Sequence, residues 1–462
     1  MSRFQGLLHR VPKGVLSFIV CAAFAWQAWQ ETDHYGAWRS NQTWHWDNEA
    51  YYHYLPATFI HGDVGDLSYV GPLDHRLHPN GEPYMFAIAV SPVTDRNCIK
   101  YAYGTALFEL PGFLIAHAYA SSQWSTWEPD GYSLPYQLAI PIATILFVFL
   151  GLLMLRRFLL RYCGDVTAAA ALCTLAFGTN LWCYTVLEAG MSHAYQFFLF
   201  AVVLEATDRW HRRPNIGAAL AVGAAVGWAV AVRPVDGLIA LVPLCWNLWP
   251  IATARLKWDL IRAHWGHLVV GALSAMIMLM PQLAYWKYTT GSFLHYSYGG
   301  EAIHLSEPHL IDGLFSFRKG WFVYSPLVLL GIVGLWLMLR DGRRKAIALA
   351  SLACLLPLVY VVFCWWQWWY GGSFGCRPLV PALALLALPM ATVAERLFLR
   401  KWTSIAAVLV VYLGVSLNFF QTRQYAQTLI HWSDMDFNRY VTVWGVQYWH
   451  ELSEEEKQSL DP

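Results

Sequence analysis

The run Trp46-Asp47-Asn48-Glu49-Ala50-Tyr51-Tyr52 sets two carboxylates two residues apart, and the pattern predicts that they open a helix. Carboxylates are favoured at a helix start by the helix dipole and by free N–H groups. On that ground Asp47 reads as an N-cap, with Glu49 in the first turn. The same groups can serve as a general base that takes the proton from an acceptor hydroxyl, and the two readings are compatible. Asp47 is the first choice for that base, Glu49 supports it or helps coordinate a divalent cation, and Tyr52 is a candidate substrate contact.

Four cations could face an anionic substrate. Lys100, in Asn97-Cys98-Ile99-Lys100-Tyr101-Ala102-Tyr103-Gly104, suits either a lipid headgroup or the phosphate of a lipid-linked substrate. Arg233-Pro234-Val235-Asp236 interrupts a long apolar run. An ionisable pair so placed is expensive and marks a functional site by default, although an ion pair that only locks two helices remains open. A guanidinium there could also bind phosphate in a bidentate manner. Arg318 and Arg377 are further candidates for the same role, Arg318 beside Lys319 and Arg377 after Gly371-Gly372-Ser373-Phe374-Gly375-Cys376. His193 is a candidate substrate contact or a hydrogen-bonded structural residue. In Trp365-Trp366-Gln367-Trp368-Trp369-Tyr370, flat rings at a membrane edge form an interfacial belt or stack on sugars, with Trp369 and Tyr370 the substrate-facing candidates. The glycines that follow let backbone turn sharply and approach a ligand.

The elements that must position these groups follow from composition. Of 462 residues, 57% are hydrophobic and 13% charged, with 25 Trp, 25 Tyr and 24 Phe. Soluble domains carry roughly a quarter charged residues, and the mean hydropathy here is +0.36. This excludes a soluble enzyme, a disordered chain and a small secreted scaffold, and the net charge of +1 excludes a basic nucleic-acid binder. Nine cysteines without paired short spacing argue against a disulfide framework or a zinc site. The Asn41-Gln42-Thr43 sequon has meaning only in a eukaryotic secretory setting. The chain reads as an all-α polytopic membrane protein.

Apolar stretches long enough to span a bilayer fall near 14–30, 135–155, 166–184, 190–206, 215–232, 235–250, 267–285, 323–340, 346–364, 376–394 and 403–420, eleven in all. With the N-terminus in the cytoplasm beside Arg3, Arg10 and Lys13, 19 of the 31 Lys and Arg residues fall on the inner side. That is the bias expected of cytoplasmic loops. Residues 104–120 are apolar but carry Glu109, Pro111 and His117, and counting them as a span would spoil the alternation. They are therefore expected to form an interfacial or re-entrant helix on the outer side. The segments 31–134, 286–322 and 421–462 then lie outside with most of the candidate residues. There is no Walker loop, no dinucleotide-binding glycine fingerprint and no His-Glu-x-x-His.

These residues resemble a family. A first span, Asp/Glu-x-x-Tyr in a long outer loop, and a Lys before an interfacial helix are similar to the bacterial GT-C glycosyltransferases, which include aminoarabinose-to-lipid-A transferases and protein O-mannosyltransferases. The resemblance implies that Asp47 or Glu49 takes the acidic position used as catalytic base, and that Lys100 and Arg233 contact the donor phosphate. The sequence departs from the pattern in having Asp-Asn-Glu for adjacent Asp-Glu, and Tyr101-Ala102 where a Pro pair follows the Lys. It implies a GT-C-like domain over 1–420, with a first periplasmic loop at 31–134 bearing juxtamembrane helices and a second at 286–322, and a periplasmic tail at 421–462. It further implies a multi-pass protein of the bacterial inner membrane. Its donor would be a polyprenyl-phosphate monosaccharide and its acceptor a glycan, lipid or protein, with sugar transfer inverting. Two rival classes remain at this point: a transporter or flippase for a lipid-linked or anionic substrate, and an oligosaccharide polymerase or ligase.

Overall fold

The computed structural model describes residues 14–40, 43–44, 46–77 and 87–460. Arg3, Arg10, Lys13, Asn41 and Gln42, used above, lie outside the described residues. The chain is mostly helical. Helices Leu134–Leu159, Trp265–Thr290, Lys345–Phe363 and Lys401–Ala426 are long and apolar enough to cross a membrane. Shorter apolar helices include Asp165–Phe177, Ile216–Val232 and Val328–Leu339.

Helix occupies each of the eleven apolar stretches, but four of them are broken. Stretch 166–184 divides between Asp165–Phe177 and Leu181–Val186, and stretch 323–340 divides between Trp321–Tyr324 and Val328–Leu339. Stretch 235–250 starts as the tight turn Pro234–Ala240, and 376–394 starts as the turn Arg377–Leu379. Each break carries a polar side chain: Asn180, Ser325, Asp236 and Arg377. Unwound backbone at such places must be satisfied by protein rather than by lipid. Asn180 does so by donating from its Nδ2 to the Cys376 carbonyl (3.1 Å), while its own N–H donates to the Ser325 hydroxyl (3.0 Å).

Small residues set the close helix pairs, as they do where backbones approach in membranes. Helix Ile216–Val232 lies against Trp265–Thr290, and a Cβ at Gly223 or Gly227 would strike the backbone of Gly271 or Ala275. Helix Val328–Leu339 meets Leu383–Leu397 in the same way, with Gly334 against Pro389. One large core, centred on Leu134–Leu159, Ser192–Arg212 and Leu383–Leu397, joins these helices.

Residues 104–120 do form a helix, Gly104–Ala120, packed along Leu134–Leu159. Its Glu109 is fully buried, and burial pushes its carboxyl well above the usual range. The first long loop departs from the all-helical expectation. Strands Ile88–Val90 and Asn97–Ile99 pair antiparallel with Ile88 opposite Ile99. β-Branched Ile88, Val90 and Ile99 favour extended backbone, and the Ser91 and Asp95 backbones close the turn.

Candidate active site

Asp47 is not an N-cap. Trp46 takes the cap position with φ 51°, and Asp47 is the first residue of helix Asp47–Tyr52. The carboxylate instead turns to distant partners. Its Oδ2 lies 3.1 Å from Nη2 of Arg377, and its Oδ1 accepts a 2.6 Å hydrogen bond from the Tyr101 hydroxyl. Burial, followed by the Asp47 charge, pushes the Tyr101 phenol far up, so it stays a donor. Tyr51, one turn along on the same helix face, places its ring 4.9 Å from that of Tyr101.

Two residues advance a helix by about 200°, so Glu49 points elsewhere. Its Oε1 is 3.9 Å from Nε2 of His53, and its charge is felt by Tyr69 and Tyr132. Tyr52 also leaves the Asp47 side. Its ring lies against Trp44, and its hydroxyl donates to the Gly131 carbonyl.

Arg377 reaches Asp47 because its loop is held at almost every peptide. Tyr184 Oη donates to the Phe374 carbonyl and accepts from the Phe374 N–H, and Asn180 holds the Cys376 carbonyl. Gly375 adopts φ 57°, a left-handed conformation open to glycine, and its Cα packs on Tyr324. The Arg377 guanidinium is buried, and among the described residues its Nε has no hydrogen-bond partner.

Arg233 stands nearby with Nε 3.7 Å from Asp236 Oδ2, and its buried Nη1 is also without a hydrogen-bond partner among the described residues. The locking ion pair expected there is thus present but leaves donors over. Arg233 shares with Asp47 the environment of Tyr298, and with Arg377 those of Tyr370 and His193. His193 has Nδ1 3.0 Å from the Ser192 hydroxyl and a buried Nε2 without a partner among the described residues. Three buried nitrogens without a hydrogen-bond partner among the described residues, on Arg377, Arg233 and His193, thus lie in one electrostatic neighbourhood with the Arg377–Asp47 pair, and a buried polar group left unpaired costs about 1–3 kcal/mol. An anion entering here would satisfy the two guanidinium donors.

The remaining sequence candidates lie at the margins. Lys100 Nζ sits 2.5 Å from Glu301 Oε1 and 5.1 Å from the Tyr298 ring, one aromatic layer away from Asp47. Arg318 pairs with Asp434 at 3.0 Å and lies over the Trp369 ring at 3.8 Å, joining the C-terminal segment rather than Asp47. Tyr370, at φ 57°, lies in the field of Arg233 and Arg377, its hydroxyl donating to the Val362 carbonyl. Tyr51, Tyr101, Ser192 and Tyr298 are site residues that the sequence reading missed. Tyr51 was within reach through its i+4 spacing from Asp47, whereas Tyr298 carried no local signal. The donor set does not fit a divalent cation held by Asp47 and Glu49, because one carboxylate faces a guanidinium and the other turns to His53.

Among solved structures the chain is similar to the oligosaccharyltransferase of Archaeoglobus fulgidus in its apo form. The two share 12% identity over 94% of this chain and 60% of that one, with a TM-score of 0.51. The chain has the GT-C fold. A second GT-C structure, ArnT from Cupriavidus metallidurans in the apo state, gives a TM-score of 0.45 at 14% identity over 73% of this chain and 56% of that one. The chain thus spans less than two thirds of the length of either solved chain. No protein-family model and no curated protein sequence matches it. Within this GT-C frame, the first long loop, the 286–322 loop and the 365–377 segment meet around Asp47.

Proposed function

We propose that the protein is an integral membrane glycosyltransferase that moves a monosaccharide from a polyprenyl-phosphate donor to a cell-envelope acceptor, with inversion. One observation supports this above the others: the Asp47 carboxylate lies against Arg377, and Arg377, Arg233 and His193 each keep a buried nitrogen without a partner among the described residues. A carboxylate can take the acceptor hydroxyl proton. The oxygen so freed forms a bond to the anomeric carbon as the bond from that carbon to the phosphate oxygen breaks. Arg377 and Arg233 then stabilise the charge that develops on the departing phosphate, a task suited to fixed cations in a poorly hydrated site.

In this proposal residues 1–420 form the membrane domain, with eleven crossings and an interfacial Gly104–Ala120 helix. The N-terminus is cytoplasmic, and both the site and the 421–462 tail are periplasmic. Lys100, already neutralised by Glu301, guards the approach to the site, and Arg318 with Trp369 borders it.

The direct test is sugar release by the purified protein in lipid, from a panel of polyprenyl-phosphate monosaccharides with membrane extract as acceptor. Turnover of at least one donor supports the reading. Binding without cleavage overturns it in favour of a transporter. A second outcome separates the two carboxylates. Glu49→Gln is expected to keep turnover within about tenfold of wild type, because Glu49 faces His53 and not the reacting groups. A loss matching that of Asp47→Asn would reverse this assignment.

A further inference from the structure

Lys319 is 3% exposed, yet among the described residues no carboxylate forms an ion pair with its ammonium. Its Nζ donates instead to two backbone carbonyls, of Ser373 and of Trp432 (2.6 Å). Those carbonyls belong to segments far apart in sequence, the loop leading to Arg377 and the chain that follows the last long helix. The Ser373 N–H donates to the same Trp432 carbonyl at 2.9 Å. Gly372 packs beneath the Trp432 ring, where a Cβ would sit 3.3 Å from Cε3. Beside it Arg318 donates to the Ser433 carbonyl at 3.0 Å and pairs with Asp434. His431 Nδ1 accepts from the N–H groups of Ser433 and Asp434, which gives this tip of chain a fixed shape.

We propose that Lys319 is a positioning residue that ties segment 431–434 to the 373–377 loop and so aims Arg377 at Asp47 and at the anionic group of the substrate. The inference rests on the glycosyl-transfer reading for the identity of that group, but the tie stands on geometry alone. Burial, then the Arg377 and Arg318 charges, brings the ammonium down to about 7. A neutral amine still offers two N–H donors, one for each carbonyl that it contacts. The tie therefore holds in both protonation states.

The experiment compares the full-length protein in lipid nanodiscs as wild type, Lys319→Met and Lys319→Arg, reading amide hydrogen exchange over 373–377 and affinity for a sugar-free polyprenyl phosphate. In Lys319→Met, exchange at Ser373 and Phe374 is expected to rise, and affinity to fall about tenfold, equivalent to about 1.4 kcal/mol. Lys319→Arg should recover part of both, and KM should rise more than kcat falls. Unchanged exchange in a folded Lys319→Met protein would overturn the proposal. If wild type binds no polyprenyl phosphate, the transfer reading fails, while the exchange comparison still decides whether the tie exists. Should Lys319→Met fail to fold, Asp434→Ala loosens the same segment from Arg318. It is expected to raise exchange over 373–377 to a lesser degree, and no rise there sinks the proposal.

Discussion

Asp47→Asn is expected to lower sugar transfer by about 10²–10⁴-fold, the range a positioned general base supplies, while leaving donor binding close to wild type. The amide keeps the shape of the side chain and an oxygen that can accept from Tyr101 or Arg377, so the local geometry is retained even though the stranded Arg377 charge costs stability. It cannot take a proton from the acceptor. Single-turnover sugar release, measured beside equilibrium binding of the same donor, separates these effects. Equal loss in both would make Asp47 a binding group, and retained turnover would remove it from the chemistry. Tyr101→Phe should act in the same direction but more weakly, because it removes one hydrogen bond from Oδ1 and leaves the carboxylate in place.

Much of this arrangement was visible in the residues before any coordinates. Arg233 and Asp236 interrupt an apolar run, Arg377 closes a glycine-rich turn, and Asp47 opens a polar helix after the first span. Each is costly where it stands unless it has a purpose. The pairing of these groups was not visible. Asp47 and Arg377 are far apart in sequence, as are Lys100 and Glu301, and only the folded chain brings them together. The Asp47–Glu49 ambiguity arose from treating neighbours in sequence as neighbours in space. Helix rotation separates them, and the same rotation would have brought forward Tyr51. The broken spans show a further limit. Averaged hydropathy passes smoothly over Gly178-Thr179-Asn180 and Ser325-Pro326, although these residues are poor helix formers and mark where the backbone opens.

Arg377 carries two demands that cannot be met at once in full. It neutralises a buried carboxylate, and in the proposed reaction it must also receive the phosphate. Removing one partner of a buried ion pair costs about 3–5 kcal/mol, because the other charge is stranded. Arg377→Met is therefore expected to lower the melting temperature markedly in lipid or detergent, and to abolish measurable turnover. Adding Asp47→Asn to it should restore most of the lost stability, since the stranded charge is gone, and none of the activity. Arg377→Lys tests the chemistry more narrowly. It keeps the charge but loses the planar fork, so folding should survive while phosphate stabilisation falls by about 10²-fold. Thermal unfolding and turnover of the four corners of the Asp47–Arg377 cycle measure this coupling directly. Strictly additive losses of stability would mean that the two side chains do not sense each other, and the ion pair at the centre of the site would have no energetic reality. A large coupling in stability together with donor affinity lost only in the Arg377 variants would give the two residues their separate roles. Asp47 would be held ready by the very guanidinium that the donor phosphate must draw away, so binding of the donor would itself release the base.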